Sequence, residues 1–110
     1  MIRFRDVEID RSTQTIRHGL VWHRFLKNHS EPDNCNLRFK LISHLLLSTG
    51  LNSQQLFALL YDRREDGGPL YGENIIKIMT THALPIINKL NFKLCTRRHL
   101  SRSVYWLVLK

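Results

Sequence analysis

The side chains of this chain best placed to do chemistry are cations. Lys77, Lys89, Lys93, Arg97, Arg98, Arg102 and Lys110 fall within residues 74–110, with no Asp or Glu among them, a contribution of +7. Residues 1–40 carry eight basic and five acidic side chains, and residues 41–73 set Arg63 and Arg64 against Asp62, Glu65, Asp66 and Glu73. The formal total of +8 is therefore concentrated in the last third of the chain. A long segment of one sign builds a field that attracts polyanions, whereas a merely solvating face alternates signs. Nucleic acid is the partner these electrostatics point to.

Other chemistries find less to work with. The six histidines (His18, His23, His29, His44, His82 and His99) lack metal-ligand spacing, and Cys35 and Cys95 stand sixty positions apart without a CxxC partner. Neither a metal nor a disulfide is expected. No ordered Ser/His/Asp set, HExxH or phosphate-cradling glycine loop occurs, and Gly67-Gly68 runs straight into Pro69. Glu65 and Asp66 are neighbours, so they do not face each other across a cleft. The expectation is a non-enzyme with no cofactor and no small-molecule substrate.

The elements that must position these cations follow from pattern. With 110 residues, 43% of them hydrophobic, the chain suits one folded domain and is too apolar for a disordered tail. No apolar run reaches the ~20 residues of a membrane-spanning helix, and the first residues lack a secretory signal core, so a cytoplasmic protein is expected. Residues 2–9 alternate imperfectly, 13–18 read as a second strand, and Gly19 permits a turn into a third at 20–25. Together residues 1–26 make a small antiparallel sheet. Residues 28–36 hold Pro32 and no periodicity, and read as a loop. Leu37, Leu41, Ile42, Leu45 and Leu46 follow helical spacing, with Gly50 placed to end the helix in a left-handed conformation. Asn52 or Ser53 caps a second helix that runs to about Asp62, with Gln55 able to reach back. A polar turn at 63–69 precedes a third helix over 72–90, in which Pro85 should produce a kink. Residues 92–109 form a hairpin with a cationic tip at 97–103. Trp22, Phe25, Phe39, Phe57, Phe92 and Tyr105 are expected in the core that joins sheet to helices.

This order resembles the winged helix-turn-helix, and more narrowly the OmpR/PhoB-type winged-helix DNA-binding domain. Phe39-Lys-Leu-Ile-Ser-His-Leu-Leu-Leu-Ser-Thr-Gly50 resembles that family's first helix, and Asn52-Ser-Gln-Gln-Leu56 the start of its second. Asp66-Gly-Gly-Pro-Leu and Glu73-Asn-Ile-Ile-Lys-Ile-Met-Thr-Thr-His82 resemble its turn and recognition helix, and Val104-Tyr-Trp-Leu107 its wing ending. The likeness spans nearly the whole chain and implies an α+β fold: an N-terminal antiparallel sheet, a three-helix core over 37–90 and a C-terminal β-hairpin wing over 92–109. Two departures stand out. Ala83-Leu-Pro-Ile-Ile-Asn-Lys-Leu90 lacks the basic run that usually ends the recognition helix, and Val104 replaces the usual wing glycine. With no receiver domain in the sequence, the resemblance implies a stand-alone module or part of something larger, such as a phage-encoded regulator.

The resemblance implies a sequence-specific transcription regulator of double-stranded DNA, associated with the nucleoid. Asn74, Lys77, Thr80, Thr81 and His82 would meet base edges in the major groove. Arg97, Arg98, His99 and Arg102 would crowd the wing tip, where minor groove or backbone phosphate neutralises them. Lys89 and Lys93 would touch phosphate, while Arg3, Arg5 and Arg11 would only solvate the sheet. Asp62, Glu65 and Asp66 could receive RNA polymerase or a second copy of the chain. The alternative is a winged-helix protein-interaction module, in which exposed Leu84 and Pro85 dock a host transcription or regulatory protein.

Overall fold

In the amino-terminal stretch the apolar phase slips by one residue. Ile2 and Phe4 alternate in step, but Val7 and Ile9 fall on the other parity, so one continuous strand over 2–9 cannot bury all four. The computed structural model, which describes residues 2–25, 37–61, 73–99 and 102–109, resolves the conflict with a turn at Arg5-Asp6. Arg5 takes a φ of 50° there. The expected three strands are thus four: β1 (Ile2–Phe4), β2 (Val7–Asp10), β3 (Thr15–His18) and β4 (Val21–Arg24), antiparallel in sequence order. Gly19 begins the two-residue turn between His18 and Val21 at a φ of 62°, the region glycine enters without a Cβ penalty.

Period two then sorts this sheet's faces. Val7, Ile9 and Ile16 are fully buried, with Ile2, Phe4, His18, Val21 and His23 on the same inner side. Arg3, Glu8, Arg17 and Trp22 stand opposite one another as a row on the outer side. Trp22 is 54% exposed, which removes it from the expected core: it shares parity with the charged row rather than with Ile16 and His23.

The helices are α1 (Leu37–Leu46), α2 (Ser53–Tyr61) and α3 (Glu73–Lys89). Asn52 caps α2 reciprocally: Gln55 N–H donates to Asn52 Oδ1 at 2.8 Å, and Asn52 N–H to Gln55 Oε1 at 2.9 Å. Gly50 does not end α1 as expected. The helix stops at Leu46, and Gly50 lies beyond it at a φ of 154°, where a Cβ would approach Val104 Cγ1 to 3.2 Å. That close approach lets the two-residue strand β5 (Leu51–Asn52) join β7 (Arg102–Leu109), which also pairs with β6 (Phe92–His99) in the order β5-β7-β6. Fully buried Leu41, Ile42, Leu45, Leu56, Ile76, Ile87 and Phe92 form one apolar cluster with Val7, Ile9 and Ile16, uniting both sheets and all three helices. The loop expected at 28–36, the turn at 63–69 and Cys35 lie outside the described residues. Among the described residues no helix is long and apolar enough to cross a membrane.

Candidate nucleic-acid interface

α3 owes its solvent face to a clean helical period. Ile76, Thr80, Ala83, Ile87 and Leu90 are buried, while Lys77, Ile78, Thr81, His82, Pro85, Asn88 and Lys89 are exposed. Lys77, Thr81 and His82 therefore share the outer stripe, as the sequence implies. Thr80 does not. It is 3% exposed and its hydroxyl donates to the Lys77 carbonyl at 2.9 Å, so its placement at a base edge is corrected. Helical rotation of 100° per residue turns Thr80 inward beside Ala83 and Ile76. Thr81 Oγ1 donates to the same carbonyl at 2.9 Å and leaves its methyl group available outward. Asn74 falls within α3, but its side chain lies outside the described residues.

Two apolar residues interrupt this face, of which the sequence reading missed Ile78 and anticipated Pro85. Ile78 is 55% exposed in the middle of the stripe, although its type alone suggests burial. Pro85 lies inside the continuous helix and on its exposed side. There the missing N–H leaves the carbonyl of Thr81 without its helical donor where water can reach it.

The β6–β7 hairpin is longer and more regular than a loose basic tip. Its ladder runs from Phe92↔Leu109 through Arg97↔Val104 and Arg98↔Ser103 to His99↔Arg102, so the expected tip residues are strand residues. Strand alternation then separates Arg97 from Arg98. Arg98 continues the face of Phe92, Leu94 and Tyr105, against which the helices pack, and Arg97 continues the opposite face of Lys93 and Cys95. Lys93, Thr96, Arg97 and Arg98 are all exposed. The expectation of one crowded cluster is corrected accordingly: cations flank the ribbon on both faces. The side chains of His99 and Arg102 lie outside the described residues. Tyr105 is buried and Trp106, one step along, is half-buried on the outer face.

Lys89 is exposed yet anchored. Its Nζ lies 3.3 Å from His23 Nδ1, within hydrogen-bond reach, with the ammonium as donor. One strand over, His18 Nδ1–H donates to the Leu90 carbonyl at 2.7 Å, just past the end of α3, and its ring stacks on Phe92 at 4.7 Å and 8°. Two inward-facing histidines of the first sheet thus seat the end of α3. Burial lowers the pKa of His23 from 6.5, and the neighbouring charges of Lys89 and Arg38 lower it further. His44 on α1 is lowered likewise, by burial first and then by Arg11 and Lys40. Arg3 reaches Glu8 at 3.6 Å on the exposed sheet face.

Among the described residues no group of three or more His, Cys, Asp or Glu could hold a metal ion. Asp62, Glu65 and Asp66, which the sequence offers as a surface that could receive a partner, lie outside the described residues. No protein-family model, curated protein or solved structure matches the chain.

Proposed function

We propose that the chain is a winged-helix DNA-binding module of OmpR/PhoB type, acting as a sequence-specific transcription regulator on double-stranded DNA. The observation that carries this reading is the acid-free segment 74–110, whose Lys77, Lys89, Lys93, Arg97 and Arg98 are all exposed on α3 and the β6–β7 ribbon. Element order supports it as well: a short strand between α1 and α2 completes the sheet β5-β7-β6, and a projecting hairpin follows α3.

α3 enters the major groove with Lys77, Ile78, Thr81 and His82 toward the base edges. Lys77 donates to guanine O6 or N7, and the Thr81 methyl suits the thymine methyl. The ribbon reaches the flanking minor groove, where cations on both faces meet a phosphate wall on either side. One module of this size covers few base pairs, so two copies on repeated half-sites are expected. Selection of bound duplexes from a random pool tests the reading. Enrichment of a common site supports it, and retention of no duplex at low salt contradicts it.

A second reading is favoured by one observation. Ile78 and Pro85 place exposed apolar surface on α3 beside half-buried Leu84, as a protein-docking helix would. Replacing Arg97 and Arg98 together by Ala separates the two: it impairs DNA binding and leaves the docking of a protein partner intact.

A further inference from the structure

We propose that the outer face of the first sheet is a second nucleic-acid contact, on which Trp22 stacks an unpaired base while Arg17 and Arg24 hold the phosphates beside it. The strand register puts these three side chains together. Arg17 stands directly opposite Trp22 in the β3–β4 ladder, and Arg24 follows two positions along β4 on the same face. All three are exposed, and Trp22 keeps 54% of its surface open to solvent. A ladder partner stands about 5 Å away and the next residue on the same face about 7 Å. The indole therefore has a guanidinium based on each of two sides.

The charge beside the indole is positive. Among the described residues the acids on this face are Glu8 and Asp10, both on β2, two strands from Trp22. Both are engaged elsewhere. Arg3 Nε lies 3.6 Å from Glu8 Oε1, and Asp10 Oδ1 accepts from the Ser12 N–H at 3.0 Å and the Ser12 hydroxyl at 2.7 Å. An unpaired nucleotide suits this arrangement better than a protein does. A docked protein needs a contiguous apolar patch whose centre is stripped of water. The neighbours of Trp22 on the face are instead Arg17, Arg24 and Thr15, and Leu20, fully exposed, lies in the turn before β4. A base needs one ring to stack on, and its phosphates need cations alongside. The bases of a duplex are already stacked on one another, so this face takes single-stranded nucleic acid. The inference does not rest on the duplex reading of α3 and the ribbon.

The test uses the full chain carrying Trp106→Phe, which leaves Trp22 as its sole tryptophan, and titrates it with a short oligothymidylate. The expected result is a saturable quenching of the Trp22 emission. An abasic oligomer with the same number of phosphates should bind about tenfold more weakly and quench little. In the otherwise unaltered chain, Trp22→Ala should lower the affinity for a labelled strand about tenfold, read by anisotropy, and Trp22→Phe should restore most of it. Arg17→Ala and Arg24→Ala should each weaken binding and make its salt dependence shallower. None of these side chains belongs to the apolar cluster, so the fold does not depend on them. Trp22 emission unmoved by the oligonucleotide, or an affinity unchanged in Trp22→Ala, overturns the proposal, even where the strand binds through the cations of α3 and the ribbon. Quenching by an oligoglutamate as strong as that by the oligothymidylate assigns the face to an acidic protein and overturns it too. A chain that holds the strand through Trp22 but retains no duplex leaves the proposal standing and removes the duplex reading.

Discussion

Thr80 and Thr81 are adjacent in sequence, and α3 turns the first into the core and the second toward solvent. Identical side chains thus take different work from one step of rotation. Period alone contained the answer, because Thr80 lies in register with Ile76, Ala83 and Ile87. Ile78 is the opposite case: its chemistry suggests burial and its phase places it outside. Lys77→Ala should blur site preference, measured by selection on a random duplex pool, at a cost of ~1–3 kcal/mol in discrimination. Arg97→Ala and Arg98→Ala should instead weaken all duplexes alike, which a gel-shift series at low salt reads directly. Histidine chemistry yields a further expectation for the fold. His23 and His44 bind protons less readily in the folded chain than at the ordinary value of 6.5, chiefly through burial. As pH falls through that value the unfolded chain takes up protons first, so the stability present above it is progressively lost. The thermal midpoint should therefore fall between about pH 7 and pH 5, and fall less in His23→Gln and His44→Gln chains. A midpoint that rises toward acid contradicts the packing of these rings.

The helices were the most legible elements, because Leu37–Leu46, Ser53–Tyr61 and Glu73–Lys89 each show their apolar stripe at the helical period. The reciprocal cap at Asn52 and Gln55 also followed from residue type and spacing. The strands were less legible, for different reasons. The division of β1 from β2 was written in the parity slip between Phe4 and Val7, but β5 has only two residues and no local pattern. Its existence depends on a distant event, the approach of Gly50 to Val104. Gly50→Ala should accordingly destabilise the chain by about 1–3 kcal/mol in chemical denaturation, since a Cβ strains the backbone at this φ and presses on the Val104 side chain. Pro85 raises a question about α3. The helix continues through it to Lys89 despite the lost hydrogen bond and the clash of the ring with the preceding turn. Pro85→Ala should raise stability by up to ~3 kcal/mol, visible as a higher melting temperature. An unchanged melting temperature would mean that the helix does not extend past this residue in solution.

Across the whole molecule, one apolar cluster ties the first sheet to the three helices and the second sheet, and cations decorate the outside of α3 and β6. Their uneven distribution was plain in the sequence. How they divide in space was not, because the faces of the ribbon depend on the β6–β7 register. That register places Arg98 on the side against which the helices pack and Arg97 on the other. Lys89 was recognisable as a cation, but its proximity to His23 requires the docking of α3 on a sheet sixty-six positions earlier in the chain. The central claim, that these exposed cations hold a double helix, has a direct thermodynamic signature in counterion release. Equilibrium binding of a selected duplex, measured by fluorescence anisotropy from 50 to 200 mM salt, should weaken roughly 10³-fold for about six phosphate contacts. The drop should become shallower when Arg97 and Arg98 are both replaced by Ala. Affinity that stays level across that salt range would contradict the account.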